Sequence, residues 1–150
     1  MNGRFLLRPA TGVDRFAYEI MRSIDELLAE AHPAVAGLAV ELLVPEGPRR
    51  IVNPFGRIAM RTVPGRRGQA WEQWALPGAA RGSLLLNLCN SAPLFLRNQI
   101  AVIHDAALLR VAGDAGQREA MRARGLARAR ELTWRDSAMQ LIGEIRPCIA

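Results

Sequence analysis

Lysine is absent from this chain, aromatic residues are scarce and cysteine occurs only twice. All 20 basic residues are therefore arginine, a bias that genomic composition explains as readily as selection for binding. Cys89 and Cys148 fit free thiols, and two cysteines cannot complete a four-ligand zinc site without both histidines. No metal and no cofactor is expected. No apolar run approaches the roughly 20 residues of a membrane-spanning helix. The segment after Met1-Asn2-Gly3-Arg4 is too short in apolar residues for a signal-peptide core, so the cytoplasm is the expected compartment. Aromatics make up only 5% of the residues and are not spaced as a stacking platform, and no Gly-rich phosphate loop accompanies them. Nucleic acid is accordingly not an expected partner.

What remains is a chain of 150 residues, half of them hydrophobic, the size of one domain with a real core. The net charge is +6. Arginines gather at Arg49, Arg50, Arg57, Arg61, Arg66 and Arg67, and again from Arg118 to Arg135. Such a surface attracts phosphorylated substrates or anionic headgroups, unless the arginines are simply solvated.

Periodicity and turn residues divide the chain into elements. A short strand is expected over Phe5 to Leu7, closed by Pro9. Thr11 with Asp14 three residues on reads as a capping box, opening a helix whose stripe is Phe16, Ile20, Ile24, Leu27 and Ala31. Pro33 ends it, and Leu38 to Val44 follows as a second strand, so the opening third is a βαβ unit. Further strands are expected at Arg57 to Val63, Ser83 to Leu88 and Ile100 to Ile103, with a short helix from Gln69 to Ala75 that stops before Pro77. After Asp105 the composition turns to Ala, Arg, Leu and Glu. Gly113-Asp114 starts a helix that Gly125 interrupts. Thr133 with Asp136 then caps a terminal helix whose apolar face is Ala138, Leu141, Ile142 and Ile145. An α/β front followed by a helical tail results.

Ligands in open α/β sheets bind beyond the carboxyl ends of the strands, and three features fall there. The amides at Thr11-Gly12 could hold a phosphate or sugar oxygen, or the glycine could merely make the turn. His104 could donate to a substrate hydroxyl or transfer a proton, with Asp105 orienting it or capping the next element. Asn87, Asn90 and Ser91 beside Cys89 could bond sugar hydroxyls or satisfy a tight turn. Trp71 and Trp74, three apart, suit core packing or a sugar-stacking face, and Trp134 is expected to plug the tail helix against the sheet.

The stretches Thr11-Gly12-Val13-Asp14-Arg15-Phe16, Trp71-Glu72-Gln73, Leu86-Asn87-Leu88-Cys89-Asn90-Ser91-Ala92-Pro93 and Asn98-Gln99-Ile100-Ala101-Val102-Ile103-His104-Asp105 together resemble the retaining, two-domain GT-B glycosyltransferases. That family, glycosyltransferase family 4, includes bacterial mannosyl- and rhamnosyltransferases of polysaccharide biosynthesis. The resemblance implies a Rossmann-like partial parallel sheet, a truncated GT-B acceptor-side domain over residues 1–109. A helical C-terminal tail over 110–150 resembles the family's closing helices. It places His104, with Asp105, near the donor sugar as the catalytic position. Gly12, with Thr11, lies beneath the donor phosphates, and Asn90, with Ser91, lies by the acceptor cleft. The implied ligands are a nucleotide-sugar and a glycan or lipid-linked acceptor. The implied protein partner is a second copy of the chain or a full-length glycosyltransferase, and weak peripheral association with the inner membrane face goes with such acceptors. The family's basic pair on the diphosphate and its paired glutamates are absent, as is most of the donor domain. The chain is therefore not expected to turn over alone, and a non-catalytic binding module or a repacked small α/β protein is the alternative.

Overall fold

The computed structural model describes residues 1–7, 9–47, 53–104 and 133–149. It is a mixed fold of helices and small parallel sheets. Strand β1 (Glu41–Pro45) pairs in parallel with β2 (Ala59–Val63), and β3 (Leu85–Asn87) pairs in parallel with β4 (Gln99–Ala101). Met1 to Gly3 lies between the two pairs. Gly3 N–H donates to Leu43 O at 2.8 Å and Leu43 N–H donates to Met1 O at 2.8 Å, while Asn2 N–H reaches Leu86 O at 3.0 Å on the other side.

The first strand expected from sequence is thus displaced. Arg4–Leu7 is a 3-10 turn, and the sheet contact comes earlier, at the Asn2–Leu43 parallel bridge. Gly3 explains the shift: a Cβ there would lie 2.9 Å from both Leu43 O and the Leu42 side chain, so only glycine allows this approach. Phe5 and Leu6 are both buried, a consecutive pattern that a tight turn accommodates and a half-buried strand does not.

Helix α1 (Gly12–Ala29) opens as expected, with the Thr11 N–H and hydroxyl both donating to Asp14 Oδ2, at 2.9 and 2.6 Å. Its buried stripe is Ala17, Ile20, Met21, Ile24 and Leu27, with Phe16 partly buried beside it. Ala31 does not extend the stripe, because the helix has already ended and Ala31 sits exposed in the left-handed region (φ 51°). From the solvent side of α1, Asp25 accepts three backbone bonds from Gly56, Arg57 and Ile58 at 2.7–2.9 Å, which fixes the entry to β2.

The helical run over residues 69–79 passes through Pro77 instead of stopping before it. Trp71–Ala75 forms a π turn, with Leu76 N–H donating to Trp71 O, and α2 (Leu76–Ala79) continues from it. The wider turn offsets the hydrogen-bond register just where proline has no N–H to give.

In the tail, α3 (Trp134–Ile145) begins at the Thr133–Asp136 capping box and buries Ala138, Ile142 and Ile145. Ala138 and Ile142 belong to the same core as Ile20, Ile24, Leu42 and Val44. Arg135 makes a bidentate ion pair with Glu30 at 2.9 and 2.5 Å, and Arg146 donates to the carbonyls of Pro33, Ala34 and Ala36. The helices expected around Gly113 and Gly125, the boundary at 109/110 and the arginines at 49, 50 and 118–130 lie outside the described residues. Among the described residues, no helix is long and apolar enough to cross a membrane.

The Met1 amine is buried at the amino end of the sheet and donates to Glu41 O at 2.5 Å. Burial lowers its pKa from 8.0 to about 6, opposed in part by the nearby Glu41. A lowered amine pKa means that the unfolded chain binds the proton more tightly than the folded one between these values. Stability should therefore rise with pH from about 6 to 8, by up to about 2–3 kcal/mol. Urea midpoints across this range test it, and a chain with a neutral N-terminal acetyl group should lose the slope. A flat profile for the unmodified chain would contradict the burial of this charge.

Candidate functional site

Beyond the carboxyl ends of the strands, the expected site residues separate into two groups. The first contains His104, Asn90 and the first turn of α1. Asn90 holds a left-handed conformation (φ 52°) just past β3, which asparagine tolerates better than most residues. Its Oδ1 accepts the backbone N–H of His104 at 2.7 Å. The ring of His104 places Nε2 2.8 Å from Leu88 O. A carbonyl only accepts, so Nε2 carries a hydrogen. Phe16 meets the imidazole edge-on, with centroids 4.6 Å apart, and Trp134 meets Phe16 at 5.8 Å. Trp134 thus has a ring contact with α1.

Cys89 joins this group to the helix start, with Sγ 4.0 Å from Val13 O and 3.9 Å from Asp14 Oδ1. Thr11 and Gly12 are exposed there, and Gly12 has open space around its Cα. The loop after β3, His104 three residues beyond β4 and the α1 N-terminus thus come to one place. Chemically, the group offers an imidazole oriented by its Nε2 contact with Leu88 O, beside backbone amides at a helix start. Asp105 lies outside the described residues.

The second group is deeper and was not expected. Glu72 is fully buried, and Arg4 Nη1 lies 2.8 Å from its Oε2. Ser91 Oγ donates to the same oxygen at 3.0 Å. Ser91 therefore serves Glu72 and does not face the imidazole with Asn90. Asn87 also leaves the proposed sugar cluster. It is buried in the sheet, where its amide accepts from Asn2 at 3.1 Å and donates to Gln99 Oε1 at 3.1 Å. Among the described residues, Glu72 Oε1 has no hydrogen-bond partner. Arg4 further lines a cavity of about 450 Å³ with Leu7, Glu46, Arg67 and Gln69.

The tryptophan pair divides in the same way. Trp71 is fully buried and its Nε1 donates to Val63 O at 2.9 Å, whereas Trp74 is 77% exposed. No sequence signal marked Glu72 or Arg4 as interior. Glu72 is a charged residue next to a tryptophan, and its partner lies 68 positions away in the chain.

Comparison with family models, curated proteins and solved structures returned no match.

Proposed function

We propose that the chain is a short relative of the acceptor-side domain of retaining GT-B glycosyltransferases, which binds sugar-like ligands without transferring sugar on its own. One observation carries this reading: His104, Asn90 and the Thr11–Gly12 turn, far apart in sequence, are gathered at one place beyond the strands. Strand order supports it. With Met1–Gly3 counted as the first strand, the order across the linked sheets is third, second, first, fourth, fifth, as in Rossmann-like half-sheets. The stretches around Thr11, Asn90 and His104 that resemble the family are those gathered here.

The missing diphosphate clamp argues against independent turnover, since it removes the largest electrostatic contribution to such a transfer. Glycan or lipid-linked acceptors are the ligands of this reading, and a full-length glycosyltransferase or a second copy is the protein partner. The core shared by α3 and α1 also favours the reading of a repacked small α/β protein, in which the tail helices close a reduced domain.

Calorimetry with nucleotide sugars should show no saturable binding in the micromolar range and no sugar release. Mannose- or rhamnose-terminated oligosaccharides should shift the His104 ring resonances at millimolar concentration. Micromolar nucleotide-sugar binding that disappears in His104→Ala would overturn the inactive assignment. Ring resonances unmoved by any oligosaccharide would overturn the acceptor-side reading.

A further inference from the structure

The imidazole of His104 is held at two points. Its backbone N–H donates to Asn90 Oδ1 at 2.7 Å, and Nε2 donates to Leu88 O at 2.8 Å. Both acceptors lie just after β3. A ring tethered in this way can still tilt about the line that joins its two anchors. Phe16 opposes the tilt. It meets the imidazole edge-on, with centroids 4.6 Å apart and planes at 76°, an ordinary geometry for an aromatic pair.

Phe16 is itself only partly buried, near the start of α1. Its other ring neighbour among the described residues is Trp134, at 5.8 Å and 69°. Three rings from three separate parts of the chain thus stand in series, and the last of them is the first residue of α3.

The position of Trp134 is well determined. The Thr133 hydroxyl donates to Asp136 Oδ2 at 2.6 Å and accepts the Asp136 N–H at 3.1 Å, which fixes the helix start. Arg135 is bound to Glu30 at the end of α1. Ala138 and Ile142, four and eight residues on and so on the same face as Trp134, seat the helix in the core. Trp134 is 37% exposed and lies outside that core. The contacts that seat α3 therefore begin at Ala138, and the ring of Trp134 is left to back Phe16.

We infer that Trp134 is a positioning residue for His104: through Phe16, helix α3 sets the tilt of the imidazole at the candidate site. The inference rests on the reading of His104 as part of a ligand site, and it makes the tail helix a component of that site. Coupling of this kind is reciprocal, so a ligand that selects the held orientation of the imidazole also favours the seated helix.

The test uses the full chain without any sugar, and reads both histidine rings in long-range proton–nitrogen NMR spectra. His32 is the internal control. Its Nδ1 accepts the Ala34 N–H at 3.1 Å, and Arg146 at the end of α3 donates to Ala34 O, so His32 reports whether α3 is seated. Trp134→Leu keeps apolar bulk at the helix start and removes the ring. It should move the His104 resonances and speed exchange of the Nε2 hydrogen about tenfold, as a local opening does. The His32 resonances and the urea midpoint should stay near those of the parent chain. Trp134→Phe should restore most of the parent His104 spectrum. An unmoved His104 in Trp134→Leu would overturn the inference. So would equal changes at both histidines with a lowered midpoint, which would make Trp134 a plain anchor of α3. Failure of Trp134→Phe to restore the spectrum would overturn the role of the ring contact. With no sugar present, these results are separate from the oligosaccharide titration, whose failure would overturn the ligand reading alone.

Discussion

Replacing Glu72 with alanine is expected to destabilise the fold by about 3–5 kcal/mol, as removal of one member of a buried ion pair does. The carboxylate is fully buried and lies 2.8 Å from the largely buried Arg4, while Ser91 and Asn2 donate to the same oxygen. Its loss leaves the guanidinium without a counter-charge inside the protein and strands two hydrogen-bond donors. Much of the penalty comes from the partner left behind, not from a large net worth of the pair. Glu72→Leu combined with Arg4→Met should therefore be considerably less destabilising than Glu72→Ala alone. Urea unfolding of the four corners of this cycle measures the coupling. Equal destabilisation by the single and double changes would show that the pair does not act as a unit.

Trp71→Ala is expected to destabilise by a similar amount, about 3–5 kcal/mol, through a large cavity beneath β1 and β2. Trp71 is fully buried among Leu43, Val63, Leu76 and Leu85, and its loss also leaves the Val63 carbonyl without its indole donor. Trp74→Ala, three residues on, should change stability by no more than about 0.5 kcal/mol, because its ring is mostly in solvent. Urea midpoints of the two variants, measured side by side, make the contrast. Comparable losses at both positions would mean that the helix is rotated relative to the arrangement described here.

That contrast shows what the sequence can reveal and where it stops. Helix caps were legible because they are local: Thr11 with Asp14 and Thr133 with Asp136 each contain their own partner within one turn. The strands in the middle of the chain were legible to within a few residues, since continuous apolar runs between Gly and Pro admit few other structures. The first strand was misplaced because Phe5 to Leu7 is apolar in composition, while the pairing edge is set by Gly3, whose role depends on the backbone of residue 43. Trp71 and Trp74 have the same spacing relation to any helix axis, so local pattern could not say which ring faces inward. The site was half legible. Strand-end logic brought His104, Asn90 and the α1 start together, but it grouped Ser91 and Asn87 with them. Ser91 is drawn away by the buried Glu72, and Asn87 by Asn2 and Gln99, and none of these contacts is written in a local motif.

The pairing of α3 with α1 has a consequence for how the chain reaches its native state. Glu30 and Arg135 are separated by 105 positions, and the helices they join share the interior that includes Ile24 and Ile142. Closing so long a loop is entropically unfavourable before any contact compensates for it. The α1–β1 segment, by contrast, gains its contacts within a few dozen residues. Assembly is therefore expected to begin in the amino-terminal half, with α3 condensing onto it afterwards. The late-joining helix α3 is in that sense the lock on a fold whose other contacts lie nearer in sequence.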